Sequence, residues 1–285
     1  MAPRRLRLDA ELVRRGLARS REHASELIAE GRVKVSGVRA HKPATGITTD
    51  VAIVVDVDAS RPEYASRGAH KLLGALDAFS SLEVRGRRCL DAGASTGGFT
   101  DVLLSRGAAE VVAVDVGYGQ LVWRLRNDDR VRVHDRTNIR DLSTELIGGP
   151  VDLVVGDLSF ISLTLVLEAL VAVTAPDGDL ALMVKPQFEV GKDRVGKGGV
   201  VRDPELRAET VRTVADHAAR LGWGAVDVAT SPLPGPSGNV EFFLRLRHGE
   251  PQVSHEAITA EVVRGSAAAP NPVTGASDPA GRVEE

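Results

Sequence analysis

Near the start of the chain, two short segments have hydrophobic residues at the spacing of an α-helix. Leu12 marks the apolar face of the first stretch, which Asp9 is predicted to cap and Gly16 to end. A second helix is predicted to start at Ser20 and end at Gly31, because apolar residues recur between them at spacings of three and four. That stripe consists of Ala24, Leu27 and Ile28. This segment therefore predicts a pair of amphipathic helices.

Strand-like patterns follow the helices. Residues 32–35 alternate with period two, Ser36-Gly37 is typical of a turn, and residues 47–57 contain a second β-branched run. Two helices followed by strands predict a small α+β domain, to which we assign residues 1–60.

A longer domain follows a charged, proline-containing linker that we place at residues 61–66. In this domain, residues 67–250, strand-like runs alternate with helical stretches. The first five runs are residues 87–92, 110–116, 131–134, 151–156 and 180–184. Such alternation predicts an α/β fold with a doubly wound, mostly parallel, Rossmann-like sheet.

The last part of this domain has a different pattern. Residues 204–221 predict a long helix that starts with proline, and two late strands at 223–229 and 241–247 bring the sheet to seven strands. A short loop between those two strands would make them antiparallel. Residues 251–285 are an expected tail, disordered from about residue 265, because Ala, Pro, Gly and Ser dominate there without an apolar period.

Composition excludes several classes of protein. Hydrophobic residues make up 43% and charged residues 26% of the 285 residues, which is ordinary for a globular protein. No stretch approaches the roughly 18 apolar residues of a membrane span, and the Arg-rich start lacks the apolar core of a signal peptide. The single cysteine, Cys89, fits a reducing compartment, and the seven histidines lack the spacing of zinc ligands. We therefore expect a cytoplasmic protein with no metal and no membrane partner.

Charge is distributed unevenly along the chain. Residues 1–42 contain eleven Lys or Arg against five Asp or Glu, a net charge of plus six that leaves minus nine for the remainder. Because contacts to phosphate dominate nucleic-acid affinity, a basic N-terminal domain on an acidic body indicates a polyanionic partner. A solvated basic tail is the alternative, but the basic residues are interleaved with a regular apolar pattern.

The N-terminal pattern resembles the RNA-binding domain of the ribosomal-protein S-four type. The residues that carry the resemblance are Arg7-Leu8-Asp9, Leu12, Gly16, Ser20-Arg21, Ala24, Leu27-Ile28, Gly31, Val33, Val35 and Gly37. Ser36 departs from the asparagine often found before the turn glycine, and either residue suits a turn. The resemblance implies binding of structured RNA through phosphate contacts. The candidate contacts are Arg4, Arg19, Arg21, Arg32 and Lys34.

A glycine-rich segment follows the first strand of the longer domain and opens a helix, at the edge where open α/β sheets bind ligands. A nicotinamide-binding loop would have a second glycine where Ser95 stands, and here Asp91 precedes the loop. The loop is therefore more similar to an S-adenosylmethionine loop. The expected cofactor contacts from this segment are Asp91, Gly93, Ser95, Thr96, Gly97, Gly98 and Phe99.

An aspartate also follows each of the next two predicted strands. Asp115 follows the second strand about 20 residues after the loop, where it can accept hydrogen bonds from the two ribose hydroxyls of an adenosine cofactor. Asp135 follows the third strand and is expected to contact the adenine amine. Glycine loops open many helices without binding a ligand, so the loop, the carboxylate and the strand order matter together.

Four further polar residues fall at the edges of predicted elements: Lys71 before a helix, Asp157 and Lys185 after strands, and Glu241 at the start of the last strand. Strand ends of a parallel sheet converge on one crevice. Each residue alone is more typical of a solvated terminus, but their joint position beside a cofactor loop predicts a catalytic group.

The longer domain resembles the FtsJ-type ribose methyltransferases, which use a Lys-Asp-Lys-Glu tetrad. The matching segments are Ser66-Arg67-Gly68-Ala69-His70-Lys71-Leu72, Asp91 to Thr100, Asp157-Leu158-Ser159-Phe160, Lys185-Pro186-Gln187-Phe188-Glu189 and Glu241. Together with the basic N-terminal domain, the resemblance narrows to the TlyA, or haemolysin A, family over residues 7–247. It implies S-adenosylmethionine-dependent 2′-O-methylation of cytidine in the RNA of both ribosomal subunits, affecting susceptibility to cyclic peptide antibiotics that bind ribosomes. No obligate protein partner follows from it.

The tetrad suggests a division of roles. Methyl transfer to a ribose hydroxyl needs in-line alignment and a base for the hydroxyl proton. A neutral lysine can act as that base, and Lys71, if it lies near Lys185, is expected to lower the pKa of the Lys185 amine. On this hypothesis Lys185 is the base, Asp157 orients it, and Lys71 with Glu241 positions the nucleotide.

Three other functions stay open at this point. An amine methyltransferase usually has Asn-Pro-Pro or Asp-Pro-Pro and an aromatic residue after the fourth strand, where this chain has Asp157-Leu158-Ser159-Phe160. A membrane-active haemolysin would need a signal or an amphipathic membrane element, and the sequence has neither. A noncatalytic RNA-binding or ribosome-assembly factor would not need the complete tetrad.

Overall fold

The computed structural model describes residues 5–18, 20–56 and 64–268. The chain forms two compact units, Met1–Glu63 and Tyr64–Glu285. Arg4 and Arg19, two of the expected RNA contacts, lie outside the described residues, as do residues 61–63 of the expected linker and 269–285 of the tail.

The N-terminal unit is a small α+β domain. Strands β3-β2-β5 form one sheet and β1-β4 a second, all antiparallel. Its elements are β1 (Leu6–Arg7), α1 (Leu8–Arg14), α2 (Arg21–Ala29), β2 (Val33–Val35), β3 (Val38–Arg39), β4 (Gly46–Ile47) and β5 (Ile53–Val55). Ser36 and Gly37 have φ angles of 48° and 80°, as a tight hairpin turn requires. The core includes Leu8, Leu12 and Leu27.

One prediction for this unit was wrong. Asp9 does not cap α1, because the helix begins at Leu8 and Arg7 occupies the N-cap position. The Asp9 side chain instead accepts hydrogen bonds from Arg7 and Arg21. Ser20 does cap α2, since its hydroxyl accepts a hydrogen bond from the His23 N–H at 3.1 Å.

The second unit contains the predicted seven-stranded, mostly parallel sheet in the order β11-β12-β10-β9-β6-β7-β8, which confirms the α/β fold. Strand β12 is antiparallel to both of its neighbours. The elements are α3 (Ala69–Ala78), β6 (Arg88–Ala92), α4 (Gly98–Ser105), β7 (Glu110–Val114), α5 (Trp123–Arg126), β8 (Val131–His134), α6 (Thr144–Ile147), β9 (Val151–Gly156), α7 (Leu167–Ala172), β10 (Thr174–Val184), α8 (Pro186–Glu189), α9 (Pro204–Arg220), β11 (Trp223–Thr230), β12 (Phe242–His248) and α10 (His255–Ala268).

Both faces of this sheet are buried. Leu90 and Val154 belong to the core on one face, whereas their neighbours Cys89 and Leu153 belong to the core on the other. Continuous apolar runs are the pattern of strands covered by helices on both sides. The polar residues that directly follow such strands are therefore brought to one edge, where ligands bind.

The helix α10 was not predicted. It continues through Ala268, so the expectation of disorder from about residue 265 is wrong for residues 265–268. Ile258 and Val262 are fully buried, and a Cβ on Gly265 would lie 1.9 Å from Thr230 Oγ1. A few well-spaced contacts therefore hold this helix in place, although the composition of the segment did not predict a helix. Over the described ranges, no helix combines the length and the apolar character needed to cross a membrane.

Candidate active site

The glycine-rich loop lies between β6 and α4. Gly93 and Gly97 have φ angles of 86° and 99°, a region that glycine adopts without strain. A Cβ on Gly97 would lie 2.4 Å from Leu125, and one on Gly98 would lie 2.3 Å from Ser66 Oγ. These two glycines are thus required by close packing within the chain, and not only by the approach of a ligand.

Asp91 lies near the end of β6, and its side chain binds the first turn of α4. Its Oδ2 accepts hydrogen bonds from the Thr100 N–H at 2.8 Å and the Thr100 hydroxyl at 2.6 Å. Its Oδ1 is buried with no hydrogen-bond partner. Complete burial raises the pKa of Asp91 to about 7.

Asp115 connects the glycine-rich loop to the end of β7. Its two oxygens accept hydrogen bonds from the N–H groups of Ser95 at 2.8 Å and Gly117 at 2.7 Å. Each carboxylate oxygen can accept a second hydrogen bond. Asp115 is therefore held in a fixed orientation with acceptor capacity left for a ligand.

A cavity of about 450 Å³ opens beside this loop. Of the nine expected cofactor residues, Gly93, Ser95 and Asp115 line it. The segment after β8 adds residues that the sequence prediction missed, namely Asn138, Ile139 and Arg140. The signal that could have revealed them is Asn138, whose side chain caps a 3-10 turn by accepting from the Arg140 N–H.

The other expected cofactor residues are not in the cavity lining. Phe99 is buried and its ring stacks on Phe243. Asp135, expected at the adenine amine, instead accepts hydrogen bonds from the Gly119 N–H and from Arg126. The remaining expected residues outside the lining are Asp91, Thr96, Gly97 and Gly98.

The four expected catalytic residues form two ion pairs, one buried on both sides and one in which the lysine is buried. Lys185 Nζ lies 2.6 Å from Asp157 Oδ1 and donates a hydrogen bond to Ser159 Oγ at 2.8 Å. Lys71 Nζ, on the first turn of α3, lies 2.6 Å from Glu241 Oε2. Each lysine is therefore paired with its own carboxylate, an arrangement that the sequence did not specify.

Sheet register brings these pairs to one edge. Val184 of β10 is paired with Phe242 of β12, so Lys185 and Glu241 continue neighbouring strands at the same end. Leu182 is paired with Gly156 of β9, which places Asp157 at that edge as well. Asp157 and Ser159 also line the cavity, so the Lys185 amine contacts two residues of the cavity wall.

Two further residues position Glu241. Gln187 Nε2 donates a hydrogen bond to Glu241 Oε1 at 3.2 Å. A Cβ on Gly235 would lie 2.0 Å from the same oxygen, so the Glu241 carboxylate lies directly against that backbone. Glu241 is fully buried.

The described candidate RNA contacts all have partners within the N-terminal unit. Arg21 Nη2 lies 2.9 Å from Asp9 Oδ2, and Lys34 Nζ lies 2.8 Å from Asp56. Arg32 donates to the Asp56 carbonyl oxygen at 3.0 Å. Arg21 and Lys34 remain substantially exposed despite these contacts.

A glycine-rich turn after β6, a carboxylate after β7 and a cavity at the carboxyl edge of the sheet are typical of a Rossmann-like methyltransferase. Residues 64–248 match the FtsJ-like methyltransferase family and residues 6–52 match the S4 domain. The chain therefore belongs to the FtsJ-like methyltransferase family and, within it, to the TlyA proteins. The resemblance noted from the sequence is confirmed.

Three relatives illustrate the similarity. The 16S/23S rRNA (cytidine-2′-O)-methyltransferase TlyA of Mycobacterium tuberculosis is 64% identical over 244 residues, 86% of this chain and 90% of that protein. A Bacillus subtilis protein provisionally named rRNA methyltransferase YqxC is 41% identical over 266 residues, 93% of this chain and 94% of that protein. A solved structure from Streptococcus thermophilus, provisionally named a hemolysin, has a TM-score of 0.72 and 36% identity, covering 93% of this chain and 96% of that one.

Proposed function

We propose that this protein transfers a methyl group from S-adenosylmethionine to the ribose 2′-hydroxyl of cytidine in 16S and 23S rRNA, the activity named for its Mycobacterium tuberculosis relative. The observation that carries the proposal is the contact between a buried lysine and the cofactor cavity. Lys185 contacts both Asp157 and Ser159, and both residues line that cavity.

Lys185 is the proposed base. In the ion pair with Asp157 the amine is an ammonium, which must first release a proton to solvent; the neutral amine then takes the proton of the 2′-hydroxyl, held in place by its contacts with Asp157 and Ser159. The Asp157 carboxylate stabilises the ammonium that forms.

Lys71 and Glu241 form the second part of the site. Their ion pair is buried and lies beside Gln187, which keeps the Glu241 carboxylate in one orientation. We assign this pair to positioning the nucleotide and holding the local charge balance. Removing one partner would leave the other charge buried and unpaired, which is strongly unfavourable.

The cavity fits the proposed cofactor. Asp115 offers free acceptor positions for two ribose hydroxyls, and a Cβ on Gly93 would lie 3.2 Å from the Asp157 carbonyl oxygen, a tight contact. The Oδ1 of Asp91, which has no hydrogen-bond partner, leaves a buried polar position behind the loop. We assign the adenine end to Asn138, Ile139 and Arg140. When bound, S-adenosylmethionine supplies an electrophilic methyl group on a positively charged sulfur.

The N-terminal unit is proposed to bind the RNA substrate. Arg4, Arg19, Arg21, Arg32 and Lys34 are the proposed phosphate contacts, because phosphate contacts fix register without reading sequence. Action on ribosomal subunits implies a cytoplasmic location and no membrane partner.

The test is transfer of tritiated methyl groups from S-adenosylmethionine to unmethylated small and large ribosomal subunits, supplied separately. The modified position is then mapped by primer extension at low nucleotide concentration, which stops at ribose-methylated nucleotides. We expect one stop at a cytidine in each rRNA.

Each other outcome of this test would support a different conclusion. Label on a base would assign the protein to amine or carbon methylation, and transfer to one subunit only would correct the substrate. Absence of transfer to either subunit, with S-adenosylmethionine bound in calorimetry, would contradict the proposal and favour a noncatalytic RNA-binding factor.

A further inference from the structure

The short helix α8 contacts the loop after β9 at three points. Lys185, at its N-cap, contacts Asp157 and Ser159. The rings of Phe188 and Phe160 lie 5.2 Å apart. The third contact is made by Glu189, the last residue of α8, to which no step of the proposed reaction assigns a role.

The Glu189 carboxylate binds the far end of the same loop. Its Oε2 accepts a hydrogen bond from the Ser162 hydroxyl at 2.5 Å, and its Oε1 accepts one from the Leu163 N–H at 2.8 Å. Among the described residues no cation pairs with this carboxylate, whose electrostatic environment comes from burial and these two hydrogen bonds. Burial raises the pKa of this carboxyl above its usual range. A largely buried carboxylate is thus devoted to two hydrogen bonds with one loop.

The loop that Glu189 anchors contains a residue in a strained conformation. Phe160 has a φ angle of 65°, which costs energy in a bulky residue, and its side chain is 91% exposed. The loop nevertheless carries Asp157 and Ser159, the two residues that orient the Lys185 amine. A displacement of about 1 Å in such a group can cost roughly a hundredfold in rate.

We propose that Glu189 is a positioning residue for methyl transfer. By holding Ser162 and Leu163 against α8, it fixes the loop of residues 157–163, and through that loop the direction of the Lys185 amine. Glu189 itself does not contact the reacting atoms. The inference rests on the proposed function for its kinetic consequence, whereas its structural consequence is measured without substrate.

The test compares Glu189→Ala, Glu189→Gln and Ser162→Ala in the full chain. Glutamine can still accept from the Leu163 N–H and can donate to the Ser162 hydroxyl, so it should restore much of the function. Ser162→Ala removes one of the two hydrogen bonds by changing the donor in the loop and leaving Glu189 in place. Glu168→Ala is the matched control, because Glu168 is an exposed glutamate on the neighbouring helix α7.

Two quantities are measured. The first is the single-turnover rate at saturating unmethylated ribosomal subunits, with KM for subunits and for S-adenosylmethionine. We expect Glu189→Ala to lower the rate about 10- to 100-fold while each KM changes less than about threefold. The rate of Glu189→Gln should be at least tenfold higher than that of Glu189→Ala, and the rate of Glu168→Ala should match that of the wild type.

The second quantity is amide hydrogen exchange over residues 157–165 in the free protein. We expect Glu189→Ala and Ser162→Ala to speed it there and to leave β6 and β9 unchanged. Unchanged exchange in this loop overturns the proposal, as does an unchanged rate or a loss confined to KM. If the wild type methylates neither subunit, the proposed function fails, and the exchange measurement still decides whether Glu189 fixes the loop.

Discussion

The Asp9 ion pairs of the N-terminal unit and the Lys185–Asp157 pair of the catalytic unit bury opposite partners. In the N-terminal unit the Asp9 carboxylate is buried, and the two arginines it holds, Arg7 and Arg21, are more than half exposed. In the Lys185–Asp157 pair of the catalytic unit the cation is the buried partner, since the Lys185 side chain is 6% exposed and that of Asp157 23%. An exposed cation on a buried anion can meet a polyanion from solvent. A buried lysine meets only a group that enters its site.

This contrast extends to pKa. Hydrogen bonds from Arg7 hold the pKa of the Asp9 carboxyl well below its usual range, and those from Arg14 lower the pKa of Glu11 to about 2. Asp91 in the catalytic unit has no cation, and burial raises its pKa to about 7. Stability contributed by Asp9 and Glu11 is present above pH of about 4.5 and lost as pH falls through their native pKa values.

The largest expected effect comes from Lys185→Ala. Removing the proposed base should lower the saturating rate of methyl transfer by about 10² to 10⁴. S-adenosylmethionine affinity, measured by calorimetry, should change less than about threefold, because no expected cofactor contact is removed. A variant that keeps most of its rate would show that Lys185 is not the base.

Asp91→Asn should change the pH dependence of stability. Between pH of about 4 and 7 the native carboxyl holds a proton that the unfolded chain has released, so wild-type stability falls as pH rises. The asparagine variant cannot ionise. Its free energy of unfolding, relative to that of the wild type, should therefore rise by roughly 2 to 3 kcal/mol from pH 5 to pH 7.

Urea unfolding followed by tryptophan fluorescence measures this directly, since both tryptophans, Trp123 and Trp223, lie in the catalytic unit. Parallel pH profiles for wild type and Asp91→Asn would contradict the assignment of a raised pKa to Asp91.

Arg21→Gln tests the exposed cations of the N-terminal unit. Losing one phosphate contact should reduce the slope of log affinity against log salt by about one. Glutamine avoids placing a second carboxylate beside Asp9, which Arg21 contacts. Arg14→Gln is the matched control, because Arg14 is equally exposed and also held by a buried carboxylate. Equal slopes for Arg21→Gln and the wild type would remove Arg21 from the interface.

The smallest effect is expected from Ser20→Ala. Loss of the hydrogen bond to the His23 N–H should destabilise the N-terminal unit by about 1 kcal/mol. Ser25→Ala, in the middle of the same helix, is the comparison, and NMR signals of the unit followed through thermal unfolding give both values. An equal loss for the two variants would show that capping is not the cause.

The sequence predicted most of the sheet, because strands buried on both faces leave long apolar runs such as residues 151–156. It also indicated Asp157 and Lys185, which directly follow such runs. The pairing of Lys71 with Glu241 could not be predicted, since the two residues are 170 positions apart and meet only through helix and strand packing.

Other features depended on contacts that leave little trace in composition. The helix α10 is held by isolated residues such as Ile258 in a polar, alanine-rich segment. Asp135 sits after a strand, as the cofactor pattern requires, but Arg126 and the Gly119 N–H occupy its carboxylate. A strand-end position therefore predicts proximity to the site and not the partner of a side chain.

The most direct test of the account measures Lys185→Ala and Arg21→Gln together, with single-turnover kinetics on unmethylated ribosomal subunits over a range of subunit concentrations. We predict that Lys185→Ala lowers the saturating rate without changing KM, and that Arg21→Gln raises KM without changing the saturating rate. If Arg21→Gln lowered the saturating rate, or Lys185→Ala changed only KM, the division between a docking unit and a catalytic unit would be wrong.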